Sequence, residues 1–228
     1  KSFARLEYAD LVRGRVLRKA DSIVGGVKFA ELSPSGVHLV TLGNEAGHDG
    51  KARVDIYRMQ NGRPVELTSW TPYASGDHWD NQMEWAAWID DAHLLTVNQQ
   101  GQLVMWHAAD RRAIYQMALG RHTSPALSPG RNYFATHDDA GVAVFSTENA
   151  AQSGSQVAVW DAASGLLQAD FNNNAMQGSD LRWLDDELLI SGGDVIDPAN
   201  RVVVWRYNFQ GFEQWAQFAG RSWGLVLP

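Results

Sequence analysis

The 228-residue chain has no cysteine, which excludes disulfide staples, a thiolate nucleophile and any zinc site built on cysteine, and leaves redox chemistry silent about compartment. No run approaches the roughly 20 consecutive apolar residues of a membrane-spanning helix. The opening Lys1-Ser2-Phe3-Ala4-Arg5-Leu6-Glu7 is no signal peptide. The expectation is a soluble chain without membrane contact of its own and, since it starts without Met and enters strand-like sequence at once, a piece of a longer protein. Sustained helical periodicity is missing. So are a Gly-x-Ser-x-Gly elbow, a His-Glu-x-x-His pair, a phosphate-cradling Gly-x-x-x-x-Gly-Lys loop and an EF-hand spacing. No catalytic residue, cofactor or metal is therefore expected.

Charge of one sign is scarce where it would be needed for nucleic acid. Residues 1–28 hold seven Lys or Arg against three acids, a net +4, so that with a total of -7 the rest of the chain carries -11. An acidic body repels phosphate backbones. The basic run Arg13, Arg15, Arg18 and Lys19 reads as a solvated outer strand before it reads as an anion site.

What the chain does have is a repeat. A small-residue turn, an apolar strand, a second turn and a strand ending in an aromatic recur along it. The unit appears as Leu32-Ser33-Pro34-Ser35-Gly36, His38-Leu39-Val40-Thr41, then Val54-Asp55-Ile56-Tyr57. It returns as Trp88-Ile89-Asp90-Asp91, His93-Leu94-Leu95-Thr96-Val97, then Leu103-Val104-Met105-Trp106. A third copy reads Leu127-Ser128-Pro129-Gly130, Tyr133-Phe134-Ala135-Thr136, then Val142-Ala143-Val144-Phe145. A further one reads Trp183-Leu184-Asp185-Asp186, Leu188-Leu189-Ile190, then Val202-Val203-Val204-Trp205.

β-Branched and aromatic residues fill the strands, while Ser-Pro, Asp-Asp and Asn-Gly sit where the chain must turn. Asp90-Asp91 and Asp185-Asp186 stand where other copies carry Ser-Pro, so they are turn residues before they are carboxylate pairs. Units of four strands, repeating about every 40 to 55 residues, predict an all-β β-propeller rather than a two-sheet sandwich. Residues 1–228 are read as a single domain.

The Leu-Ser-Pro-x-Gly turn, and Val157-Ala158-Val159-Trp160-Asp161 followed by Ala162-Ala163-Ser164-Gly165, resemble WD40 repeats, whose strands end in a Trp-Asp dipeptide. The chain also resembles the divergent propellers of large bacterial multidomain proteins. The resemblance implies a buried network of a His, an Asp, a Ser or Thr and the Trp, for which His122, Asp138 and Asp139 sit at matching positions in one repeat. Ser191-Gly192-Gly193 resembles, once, the di-glycine of kelch repeats.

Phe145 and Trp160 are both aromatic strand ends only 15 residues apart, too close for a whole blade between them. This spacing leads to the expectation of a segment of roughly 15 to 40 residues missing near position 150. The ends suggest closure: residues 1–24 resemble the last two strands of a blade, 211–228 a fourth strand followed by a first, and pairing the C-terminal strand with the N-terminal pair would bury both edges. Five internal units and this composite predict six blades, with five and seven as the alternatives.

Loops that depart from a repeat are where recognition residues collect. In Ser69–Asn81, Trp70, Tyr73, Asp77, His78, Trp79 and Asp80 could form an aromatic and acidic face for a peptide or a sugar, or the aromatics could wedge between blades. His48 and Asp49 in 42–51, and Asp194 and Asp197 in 194–200, are read as loops joining second and third strands on one rim. The function expected is a non-catalytic, monomeric scaffold for a protein or peptide partner, by analogy of fold. The alternative is a carbohydrate-binding or glycan-processing propeller, which requires carboxylates converging at a channel mouth.

Overall fold

The computed structural model describes residues 3–10, 15–24, 26–44, 52–61, 63–73, 82–119, 125–138, 155–173, 181–191, 193–207, 213–218 and 221–226. Every regular element among them is a β-strand. The chain divides into two compact units, Lys1–His122 and Thr123–Pro228.

In the first unit, β1 (Phe3–Asp10) and β2 (Arg15–Val24) form an antiparallel pair. A first four-stranded sheet follows from β3 (Gly26–Leu32), β4 (His38–Asn44), β5 (Ala52–Gln60) and β6 (Arg63–Trp70), and a second from β7 (Met83–Trp88), β8 (His93–Asn98), β9 (Gln102–His107) and β10 (Arg112–Ala118). In the second unit, the third sheet comprises β11 (Ala126–Leu127), β12 (Tyr133–Asp138), β13 (Ser155–Asp161) and β14 (Leu167–Asn173). The fourth comprises β15 (Arg182–Trp183), β16 (Leu189–Ser191), β17 (Asp194–Asp197) and β18 (Val202–Arg206); β19 (Glu213–Phe218) and β20 (Arg221–Val226) form a last pair. Each four-stranded sheet is an antiparallel meander in chain order, the arrangement that short turns enforce.

The sheets come in two kinds that alternate, and the opening turns and second strands of the second unit repeat those of the first at an offset of 95 residues. Sheets one and three open on a Ser-Pro turn. Ser33 N–H donates to His38 O at 2.8 Å, Gly36 N–H donates to Ser33 O at 2.8 Å, and the Ser33 hydroxyl accepts from His38 N–H at 3.1 Å. Ser128 does the same with Tyr133 and Arg131, at 2.8, 2.9 and 3.2 Å. Gly36 takes φ 73° and its counterpart Arg131 φ 61°, so this turn demands a left-handed residue and one copy pays the side-chain strain.

Sheets two and four open on Asp-Asp. Asp90 Oδ1 accepts from Ala92 and His93 N–H at 2.7 and 2.8 Å, and Asp185 Oδ1 from Glu187 and Leu188 N–H at 2.8 and 2.7 Å. A side-chain carboxylate thus replaces the Ser hydroxyl as the acceptor that closes the turn.

Within each unit the core lies between its two four-stranded sheets. Val40, Leu42, Val54, Ile56, Ala86, Trp88, Leu94 and Ala108 pack together in the first. Ala135, Val157, Val159, Ala169, Leu181, Trp183, Leu189 and Ile196 do so in the second. Trp88 and Trp183, last residues of β7 and β15, are the largest side chains in these clusters.

Strand pairing departs from the sequence reading twice. The third strand of the third sheet is β13, which pairs with β12 from Tyr133↔Asp161 to Asp138↔Gln156. Val157–Trp160 therefore belongs to the same sheet as Leu127-Ser128-Pro129-Gly130, not to a separate unit. Among the described residues there are four four-stranded sheets and two two-stranded ones, where the sequence counts five internal units. Phe145 and the segment near position 150 lie outside the described residues. In the fourth sheet, Asp194–Asp197 is the third strand, and Val202–Trp205 belongs to the fourth. Residues 194–200 are therefore a strand and a tight turn, not a loop between second and third strands.

Candidate functional site

Two side-chain arrangements recur between the sheets. The indole Nε1 of Trp88 donates to Glu31 O at 3.3 Å, and that of Trp183 to Ala126 O at 2.9 Å. The second Asp of each doublet reaches the preceding sheet's turn: Asp91 Oδ1 accepts from Ser35 N–H at 3.2 Å, and Asp186 Oδ1 from Gly130 N–H at 2.7 Å. His38 stacks on Trp88 with ring centroids 5.9 Å apart, and Tyr133 on Trp183 at 6.2 Å.

Inside the sheets, a Thr of the second strand meets an indole of the third. Thr96 Oγ1 accepts from Trp106 Nε1 at 2.9 Å and lies 2.8 Å from Tyr73 Oη, which also donates to Gln102 O at 3.0 Å. Thr136 Oγ1 accepts from Trp160 Nε1 at 3.2 Å. Burial pushes the Tyr73 hydroxyl pKa up, the Thr96 hydrogen bond offsetting part of that rise.

Tyr73 is 5% exposed and packs with Val104 and Trp106. Trp70, half-buried, contacts the same cluster and meets Trp106 edge-on at 5.9 Å. Both aromatics thus wedge against the second sheet; Tyr73 presents no face to a ligand. Asp77, His78, Trp79, Asp80, His48, Asp49, His122 and Asp139 lie outside the described residues.

Asp194 is 2% exposed in β17, where the Arg206 guanidinium holds it in two bonds of 2.5 and 2.9 Å. Asp55 occupies the same register position in the first sheet and pairs with Arg53 at 2.6 Å. These are buried carboxylates neutralised by an Arg, a structural use. Asp197 closes the β17–β18 turn, accepting from Asn200 N–H at 2.9 Å and Asn200 Nδ2 at 2.7 Å. The Asn200 hydrogen bonds hold its carboxyl below the usual carboxylate range.

That same turn forms one wall of a cleft of about 690 Å³ in the second unit. Tyr133 and Trp183 back it, Gln168 and Asn200 supply amides, and Asp186, Glu187 and Asp197 supply three carboxylates. Among the described residues, no Lys or Arg lines it. Of the candidate binding residues named from sequence, Asp197 alone among the described ones lines it. The signal for the others was the Asp185-Asp186 doublet, which reads as a turn; nothing in the sequence says that a turn in one sheet borders a cleft with its neighbour.

The arrangement suits binding of a cation, because three acids share a cleft with no basic residue among the described ones. No family model matches the chain, and no curated protein is significantly similar to it.

Proposed function

We propose that the chain is a non-catalytic binding scaffold of WD40-like β-propeller type, and that the cleft between its third and fourth sheets receives a Lys or Arg side chain of a protein or peptide partner. The observation that carries the reading is the set of three acids, Asp186, Glu187 and Asp197, in a cleft that no described Lys or Arg lines. Two of them are already spoken for by structure, Asp186 by Gly130 N–H and Asp197 by Asn200. Asp197, held ionised, is poorly suited to proton donation, whereas a fixed anion suits recognition of a cation.

The blade reading draws support from the Thr–Trp hydrogen bond in the second and third sheets, with the Tyr73 hydroxyl joining Thr96 where the resemblance asks for a His. It also draws support from sheets that repeat in four-stranded meanders. Closure follows as a proposal: β1–β2 and β19–β20 complete one blade, which with the four full sheets makes five. The count differs from six because Val157–Trp160 pairs with β12 in the third sheet and opens no sheet of its own. A chain without cysteine allows a direct check, since pairs of cysteines introduced into β1 or β2 and β19 or β20 would form the protein's sole disulfide.

Binding is tested with a hexa-arginine peptide and the full chain. Glu187→Lys should weaken binding several-fold, and raising salt from 0.05 to 0.5 M should weaken it further, by roughly the loss of Debye-length attraction. Glu66→Lys, the same charge change on exposed β6, should leave it nearly unaltered. Equal effects of the two substitutions would mean that net charge alone attracts the peptide, and would sink the proposal.

A further inference from the structure

Two histidines stand directly opposite one another on neighbouring strands of the second sheet: His93 on β8 pairs with His107 on β9. Their rings lie 5.6 Å apart, edge to face at 68°. Each keeps about a third of its side chain exposed, 34% for His93 and 29% for His107. Each also has a carboxylate at Nδ1: Asp90 Oδ2 at 2.8 Å from His93, and Asp110 Oδ2 at 2.9 Å from His107. The second contact has ion-pair distance but lies off the hydrogen-bond direction, since His107 Nδ1 is buried without a well-aligned partner.

At His93, the Asp90 carboxylate on Nδ1 holds the proton there and leaves the Nε2 lone pair free. Among the described residues, neither Nε2 has a protein partner.

We infer that His93 and His107 form a two-imidazole chelate for a late first-row divalent ion such as Zn²⁺, Ni²⁺ or Cu²⁺, through their Nε2 atoms. Imidazole nitrogen is a preferred ligand of these ions, at about 2.0–2.1 Å for zinc. Directly opposite residues with ring centroids 5.6 Å apart put two imidazoles within the span of one ion. No group of three or more His, Cys, Asp or Glu among the described residues converges to hold a metal, so water completes the coordination and the site is an open one. Asp90, bonded to His93 Nδ1, orients that ring, and Asp110 is the outer partner at ion-pair distance from His107. Arg112, the neighbour of His107 on β10, is exposed and can extend away into solvent.

The test is calorimetric titration of the full chain with ZnCl₂ at neutral pH. The wild type should bind one Zn²⁺ more than the His93→Gln/His107→Gln double variant. Each single substitution should abolish that site as completely as both together, because a chelate needs both nitrogens. Asp110→Asn, which keeps both imidazoles, should weaken it by roughly 10-fold, the lower end of the usual cost of losing an outer partner. The inference is overturned if wild type and double variant bind Zn²⁺ alike, if the wild type binds none, or if each single variant removes only half of the difference.

Discussion

The contact between the first and second sheets and that between the third and fourth are built on the same two donors and acceptors, yet hardly share a side chain on the receiving side. In the first unit Trp88 and Asp91 reach Glu31 O and Ser35 N–H; in the second, Trp183 and Asp186 reach Ala126 O and Gly130 N–H. Trp and Asp recur while Glu becomes Ala, Ser becomes Gly, and the stacking ring changes from His38 to Tyr133. What the two interfaces share is main chain, while side-chain contacts such as Trp88 N–H to Glu31 Oε2 belong to one of them. A backbone carbonyl and amide are present whatever the residue, so the receiving turn can diverge while the packing survives.

The largest effect expected is loss of the indole. Trp88→Ala and Trp183→Ala should each destabilise by about 3–5 kcal/mol, from the cavity and the orphaned carbonyl, in denaturant titrations. If one proves harmless, the two interfaces are not equivalent and the comparison fails.

Next come the hydroxyls within the sheets. Thr96→Val leaves Trp106 Nε1 without its acceptor and removes one partner of Tyr73, and should cost about 1–3 kcal/mol. Thr136→Val removes only the Trp160 contact and should cost less. Equal costs would mean that the Tyr73 hydroxyl contributes little.

A smaller effect separates Gly130 from Ser35. A β-carbon at Gly130 would lie 2.9 Å or less from three atoms of the Asp186 carboxylate, which explains why that clasp is the shorter one. Gly130→Ala should push the carboxylate away and cost about 0.5–1.5 kcal/mol, the worth of one hydrogen bond. A thermal melt unchanged by the substitution would show that the clasp in the second unit contributes nothing.

The smallest effect is in acid. Hydrogen bonds from the Ser33 and Ser35 side chains, then the Ser35 amide, hold the Asp91 carboxyl below its usual range. A carboxyl depressed on folding contributes stability that is full above the unfolded pKa of about 3.9 and is lost as pH falls through the folded value. Asp91→Asn should therefore shallow the fall in stability between pH 5 and 2.5. An identical acid limb would show that Asp91 is not engaged in solution.

Strands and turns were legible in the sequence because their signals are local. Ser-Pro and Asp-Asp mark turns through short-range hydrogen bonds, and alternating apolar runs mark strands on either side. The two misreadings came from patterns that are also local but ambiguous. Val142–Phe145 and Val157–Trp160 have the same apolar-to-aromatic form, and only pairing with β12 assigns the latter to the third strand. Val202–Trp205 looks like a core strand, yet each of its residues is exposed, from 44% to 61%; apolar composition does not report burial. The clasps and the cleft were illegible for a different reason. Asp91 and Asp186 meet partners 56 residues away, a distance at which a single sequence carries no signal of contact.

The claim that the second Asp of each doublet holds the preceding sheet's turn is tested most directly by hydrogen exchange at the Ser35 and Gly130 amides, both on exposed turns. Both should be protected in the wild type, with Asp91→Asn releasing Ser35 alone and Asp186→Asn releasing Gly130 alone. Free exchange of either amide in the wild type, or protection that survives loss of its Asp, would contradict the account.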